Sequence, residues 1–136
     1  MQQLIKLAPR SRGFHLITQE VLGQLELVGQ SGVLQLFIQH SSASLTLNEN
    51  ADPDVRVDME SWFLNHVADD TAYFRHRCEG PDDMPAHIKA SLLGASVSIP
   101  VQEGRLLLGT WQGIWLGEHR ERASGRNIVA SMLAIA

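Results

Sequence analysis

Three histidines, His40, His76 and His87, stand at junctions of this 136-residue chain: the end of a strand-like run, a loop, and the start of a helix-like run. Neutral imidazole is the commonest protein metal ligand, and three imidazoles around an open fourth position would make a catalytic zinc-type site. No HExxH, CxxC or HxH spacing accompanies them, so three separately hydrogen-bonded histidines fit the same pattern. Glu49, Asp52, Asp82, Asp83 and Glu118 are available as acceptors behind such a site. Helix capping alone explains an aspartate at or near a proline, which covers Asp52 and Asp83. Glu49, between Asn48 and Asn50, is open either to a general-base role or to water.

Other chemistries are excluded on inspection. The chain has no GxxxxGK[ST] phosphate loop and no GxSxG nucleophile elbow. Ser41, Ser42 and Ser44 beside His40 have no identifiable paired acid, and hydroxyls in such positions commonly bond local backbone. His15 and His66 have no convergent acidic or histidine neighbours in sequence.

The elements that must position these groups follow from periodicity. Gln3–Leu7 and Phe14–Thr18 read as short strands around a turn, and Thr18 suits the start of a helix burying Val21, Leu22, Leu25 and Val28. In the strand Val33–His40 the alternating set Leu34, Leu36, Ile38, His40 carries the imidazole toward the core side. A polar connection then runs to Asp52-Pro53, a strong helix start, followed by Val55, Met59, Trp62, Phe63 and Val67 at spacings of three and four. Asp82-Asp83-Met84-Pro85 opens a second helix reaching about Leu93, with Gly94 as its C-cap.

Beyond Ser96 the chain turns to strands. SVSIPV and RLLLGT flank a Gln102-Glu103-Gly104 turn, and strands are expected over Trp111–Arg120 and Arg126–Ile135. Trp111 and Trp115 fall on one face of the third, as packing or subunit-contact residues. Gly109, Gly113 and Gly117 recur every four residues there, as expected where something approaches the backbone closely. The fold class is α+β, with mixed or largely antiparallel sheets packed with two to three helices in a single domain.

The net charge of −4 gives no broad footprint for nucleic acid, although Arg105, Arg120, Arg122 and Arg126 leave room for a local basic pocket. No segment approaches the roughly 18 apolar residues of a membrane span, and no secretory signal is evident. Cys78 is the single cysteine, so a disulfide framework is excluded and the cytoplasm is the economical compartment.

Three segments, QHSSASLTLNENADPDVRVDME, HRCEGPDDMPAHIKASLLGASVSIPV and GRLLLGTWQGIWLGEHR, together with SRGFHLIT, resemble the YjbQ family, also called UPF0047, over nearly the whole chain. The resemblance implies a homotrimer with an inter-subunit cleft. It points to His40, Asn48, Glu49, Asp52, His76, Asp83, His87, Gln112, Glu118 and Arg120. Ser41 stands where the family commonly has threonine, and His119 takes no family role. The family's secondary thiamine-phosphate synthase activity would couple an aminopyrimidine diphosphate to a thiazole phosphate and release pyrophosphate. In that chemistry Arg120 and Lys89 would meet the leaving group, with Mg²⁺ on Glu49 or Asp83 and a histidine handling the proton. The expected assignments are therefore Glu49, His87, Glu118 and Arg120 as catalytic groups, Asn48, Lys89 and Gln112 as ligand-binding groups, and His40, His76 and His87 as ligands of Zn or Mg. Two alternatives are a metal-dependent hydrolase or lyase acting on a small phosphorylated metabolite and a non-catalytic trimeric binding protein.

Overall fold

The computed structural model describes residues 1–135. The elements in chain order are β1 (Gln2–Leu7), β2 (Gly13–Leu16), α1 (Thr18–Gly23), β3 (Gly32–Ile38), β4 (Ala43–Glu49), α2 (Pro53–His66), α3 (Asp83–Leu93), β5 (Ser96–Gln102), β6 (Arg105–Leu106), β7 (Gln112–Glu118) and β8 (Arg126–Ala134). The strands form two sheets, one in the order β1-β8-β3-β5-β6 and the other β2-β7-β4. Every pairing among the described residues is antiparallel. This is the α+β architecture expected from the sequence.

Alternation along β7 explains the layering. Ile114 and Leu116 join Leu34, Leu36, Ile38, Ile128 and Ala130 in the core between the sheets. Trp115, pointing the opposite way, packs with Phe14 and Phe63 beneath α2. A strand buried on both faces thus divides a sheet–sheet core from a sheet–helix core. Gly113 and Gly117 are required on the helix side: a Cβ would lie 2.7 Å from Leu16 Cδ2 at the first and 2.3 Å from Ser44 Oγ at the second. The crowding expected at these glycines comes from the chain itself.

Several elements differ from the sequence reading. The connection after His40 is not only a loop, because Ala43–Glu49 is a strand paired with β7 from Ala43↔Glu118 to Glu49↔Gln112. Its alternation of Ala43, Leu45 and Leu47 with Ser44, Thr46 and Asn48 satisfies the two-residue strand period. The first helix ends at Gly23, which leaves Val28 exposed. Strand β6 contains only Arg105 and Leu106, and Trp111 precedes β7 and is exposed while Trp115 is buried. The two tryptophans therefore do not share a packed face.

The start of α2 and the end of α3 hold, whereas α1 is preceded by Ile17 and the Thr18 hydroxyl accepts from the Ile114 N–H at 2.9 Å. Asp52 caps α2, its carboxylate accepting from the Asp54 N–H at 2.9 Å, with Pro53 following. Gly94 closes α3 with φ 107°, a backbone region glycine enters at little cost. Residue 83 takes a different role from the expected cap: Asp83 begins α3 without a side-chain cap bond, and its carboxylate is turned elsewhere.

Candidate metal and substrate site

The end of the three-stranded sheet where Ala43 pairs with Glu118 collects most of the chain's bonded charge. Arg126 opens β8, and its buried face points between the sheets, where Nε and Nη2 donate to the two Glu118 oxygens at 2.7 and 2.5 Å. Glu118 is completely buried. This bidentate pair, with Arg126 Nη1 donating to Ser42 Oγ at 3.0 Å, rivets the sheets together. Glu118 also accepts from the Arg120 N–H, fixing the chain as it leaves β7.

Arg120 then spans to the start of α3. Nε donates to Asp82 Oδ2 at 2.9 Å, Nη1 to Asp83 Oδ1 at 2.6 Å, and Nη2 to the Glu79 carbonyl at 2.8 Å. Burial tends to raise the Asp83 carboxyl pKa, but hydrogen bonding to His76 and the nearby Arg120 charge hold it below the usual value. Asp82 is likewise held low against its burial, by the Glu121 N–H and by Arg120.

The other Asp83 oxygen, Oδ2, faces two imidazoles. His76 Nε2 is 2.6 Å away and His87 Nε2 is 3.0 Å away, and one ligand atom from each of the three residues lies within 4.8 Å of the others. Asp83 and His87 sit four residues apart on α3, hence on one helical face, while His76 comes from the preceding loop. His87 Nδ1 lies 2.9 Å from the Ser41 carbonyl. A carbonyl can only accept, so Nδ1 carries a proton and, in the neutral ring, Nε2 presents a lone pair toward an anionic oxygen. Only a proton or a cation between them makes that geometry favourable. A ring N–H tied to a backbone carbonyl is also the usual support of a metal-bound histidine. The donor set therefore fits a divalent cation bound by two imidazoles and one carboxylate.

This set corrects the expected three-histidine site. His40 does continue the buried face of β3, but its Nε2 accepts from the Asn127 N–H at 2.8 Å and does not join the cluster. Burial and the Arg126 charge lower its pKa, with Glu118 opposing. His40 instead shares with His87 a cleft of about 440 Å³, also lined by Ser41, Ala43, Ser91 and Gly94. Asp83, for which the sequence left open capping, a supporting role and a Mg²⁺-holding role, is the third member, and its four-residue spacing to His87 was the signal available. Arg120 acts within the chain as a positioning residue, with three of its five N–H groups bonded to Asp82, Asp83 and the Glu79 carbonyl.

Asn48, Glu49 and Gln112 lie at the other end of β4 and β7, six residues along the strand and so roughly 20 Å away. Each serves its local backbone. Glu49 accepts from the Ala51 and Asp52 N–H groups, Asn48 Oδ1 accepts from the Glu49 N–H, and Gln112 Oε1 accepts from the Gly109 N–H. Within one chain the general-base assignment to Glu49 and the ligand-binding assignments to Asn48 and Gln112 do not meet the His-Asp-His cluster. Lys89 is fully buried, and its Nζ makes no hydrogen bond among the described residues. It does not line the His40–His87 cleft.

Comparison with known proteins agrees with this fold. The model of the family described as "UPF0047 protein YjbQ-like" matches residues 3–134. The chain belongs to the YjbQ (UPF0047) family. It is 55% identical over 133 residues to the YjbQ protein of Salmonella typhimurium, covering 96% of each chain, and 40% identical to a UPF0047 protein of Synechocystis, covering 94% of this chain and 88% of that one. Among solved YjbQ-like folds, the conserved hypothetical protein TT1486 of Thermus thermophilus superposes with a TM-score of 0.86 at 30% identity, covering 96% of this chain and 99% of that one. A YjbQ/UPF0047 protein of Clostridium acetobutylicum superposes with a TM-score of 0.81 at 31% identity, with the same coverage. Among the described residues no helix is long and apolar enough to cross a membrane.

Proposed function

We propose that this YjbQ-family chain is a metal-dependent enzyme acting on a small phosphorylated metabolite, with His76, Asp83 and His87 holding a divalent cation of the Zn or Mg type. The observation that carries the reading is the pair of imidazole nitrogens directed at one oxygen of a buried, Arg120-bonded carboxylate. Two histidines and a carboxylate leave coordination positions open, and a cation there would act as a Lewis acid toward a substrate oxygen. The chain's residues do the rest. Arg120 and the Ser41 carbonyl orient Asp83 and His87, Glu118 with Arg126 anchors the chain end that carries Arg120, and His40 lines the adjoining cleft as a candidate proton carrier.

The narrower form of this reading is thiamine-phosphate formation from an aminopyrimidine diphosphate and a thiazole phosphate. It rests on the family resemblance and on a cation able to meet departing pyrophosphate, without help from Lys89 or Glu49. Homotrimer formation belongs to the same reading: Leu4, Phe37 and Leu133 expose apolar surface on the outer face of the five-stranded sheet, and sedimentation equilibrium tests it. Calorimetric titration of metal-free protein with Zn²⁺ and Mg²⁺ tests the core proposal. One saturable site per chain, abolished by His76→Ala plus His87→Ala, is expected, together with turnover of the thiazole-phosphate pair or a panel of phosphorylated metabolites that depends on the same residues. Metal binding unaffected by the double substitution removes the assignment. Ligand-induced stabilisation without turnover would favour a binding protein.

A further inference from the structure

The hydrogen bonding of His40 defines its part in the cleft beside the His-Asp-His cluster. Where β3 runs out alongside β8, the Gln39 N–H donates to the Asn127 carbonyl at 3.0 Å, and the next partner in the ladder is a side chain: the Asn127 N–H donates to His40 Nε2 at 2.8 Å. A backbone N–H can only donate, so Nε2 presents a lone pair and the proton of the neutral ring sits on Nδ1. Burial and the Arg126 charge, with Glu118 opposing, lower the His40 pKa and favour that neutral ring. The imidazole is thus locked in one tautomer by the neighbouring strand.

Nδ1 has no partner among the described residues and, unlike His119 Nδ1, is not sealed from solvent. The half-buried ring borders the cleft of about 440 Å³ shared with His87 and an adjoining one of about 520 Å³ beside Phe37. In the cleft wall the carbonyls of Ser41, Gly94 and Ala95 already accept within the chain, from His87 Nδ1, the Leu45 N–H and the Ile38 N–H at 2.8–3.1 Å. Among the described residues no Asp, Glu, Lys or Arg lines this cleft. Beyond its serine hydroxyls, what it offers a ligand at the His40 end is one uncharged N–H donor.

We propose that His40 Nδ1–H recognises a carbonyl oxygen of the substrate while the cation holds the substrate's phosphate. This rests on the metal reading of the same cleft, and it narrows the part of His40 from proton carrier to uncharged donor. A carbonyl suits the wall because it only accepts, whereas a hydroxyl in its place brings a proton for which the lining carbonyls are already bonded. A neutral imidazole of fixed tautomer polarises such a carbonyl without giving up its proton. The substrate class is therefore a phosphorylated aldehyde or ketone.

Calorimetric titration of the Zn²⁺-loaded protein with dihydroxyacetone phosphate and glycerol 3-phosphate, which differ only in carbonyl against hydroxyl, tests this. The ketone is expected to bind about fivefold more tightly. His40→Gln removes the Nδ1 donor but places a side-chain oxygen where Nε2 accepts from the Asn127 N–H, so the fold is kept, as circular dichroism checks. In that variant the preference for the ketone is lost while glycerol 3-phosphate binds as before, a change of ratio that a merely structural role would not produce. Heteronuclear NMR of the isotope-labelled, metal-free chain at neutral pH should show the His40 ring protonated at Nδ1 alone. Absence of Zn²⁺ binding removes the metal reading and this one with it. Zn²⁺ binding without a preference for the ketone, a preference that survives His40→Gln, or a ring protonated at Nε2 overturns this proposal alone.

Discussion

Asp83 and Glu60 are carboxylates near cationic groups in the interior of the same small chain, and they are treated in opposite ways. Asp83 receives Arg120, His76 and His87 at 2.6–3.0 Å, and its pKa is held low. Glu60 lies near Lys89 and Arg12 but bonds to neither, and its pKa is pushed up. In the first arrangement both carboxylate oxygens are bonded by the chain, whereas in the second neither oxygen is bonded among the described residues. Burial of charge alone therefore does not set the direction of a carboxyl pKa; the bonding of its oxygens decides it.

Breaking the bonded region should cost most. Glu118→Ala leaves Arg126 buried without its counter-ion, and a loss of about 3–5 kcal/mol in urea unfolding is expected. In the unbonded region the sign reverses: Glu60→Leu with Lys89→Met should be neutral or stabilising by about 1–4 kcal/mol, because no bonded pair is lost. A double substitution that instead costs as much as Glu118→Ala would erase the contrast. Arg120→Lys, unable to span Asp82 and Asp83 together, should weaken metal binding about 10–100-fold by calorimetry while leaving His76 and His87 in place.

The finest test is the pH dependence of stability. Burial, with the charges of Lys89, Arg126 and Arg12, lowers the His119 pKa from 6.5 to about 3. The folded state thus keeps this ring neutral where the unfolded chain protonates it. Its contribution is full above pH 6.5 and is lost as pH falls toward 3, with a slope of up to about 1.4 kcal/mol per pH unit. Glu60 works the other way: its raised pKa penalises folding above that pKa and the penalty fades as pH drops through it. Urea midpoints of His119→Gln should fall less between pH 6.5 and 5 than those of the parent, and equal slopes would remove His119 as the cause.

What the sequence revealed divides along the range of the forces involved. The Asp52-Pro53 start, the Gly94 stop and the alternation of Gly113, Trp115, Gly117 and His119 against Ile114, Leu116 and Glu118 depend on neighbours within a few residues, and all were legible. Strand β4 was missed because its serine, threonine and asparagine resemble a polar loop by composition, although their alternation with Ala43, Leu45 and Leu47 has the strand period. The site was half legible. His76 and His87 were named, Asp83 was left between capping, supporting the histidines and holding Mg²⁺, and His40 was added because residue type says nothing of the Asn127 N–H brought against it by β8. The raised pKa of Glu60 was invisible in the sequence, since its environment is made by burial and by Lys89 and Arg12 from two other parts of the chain.

The position of β8 has a consequence for how the molecule comes into being. This last strand lies between β1 and β3, so the first strand has no neighbour in its sheet until the end of the chain has been made. Arg126, which opens β8, is also the only counter-ion bonded to Glu118 among the described residues. On a ribosome the amino-terminal strand must therefore wait, and the five-stranded sheet closes as a late, long-range event. Such topology places refolding in the milliseconds-to-seconds range, with β1 and β8 protected from hydrogen exchange together.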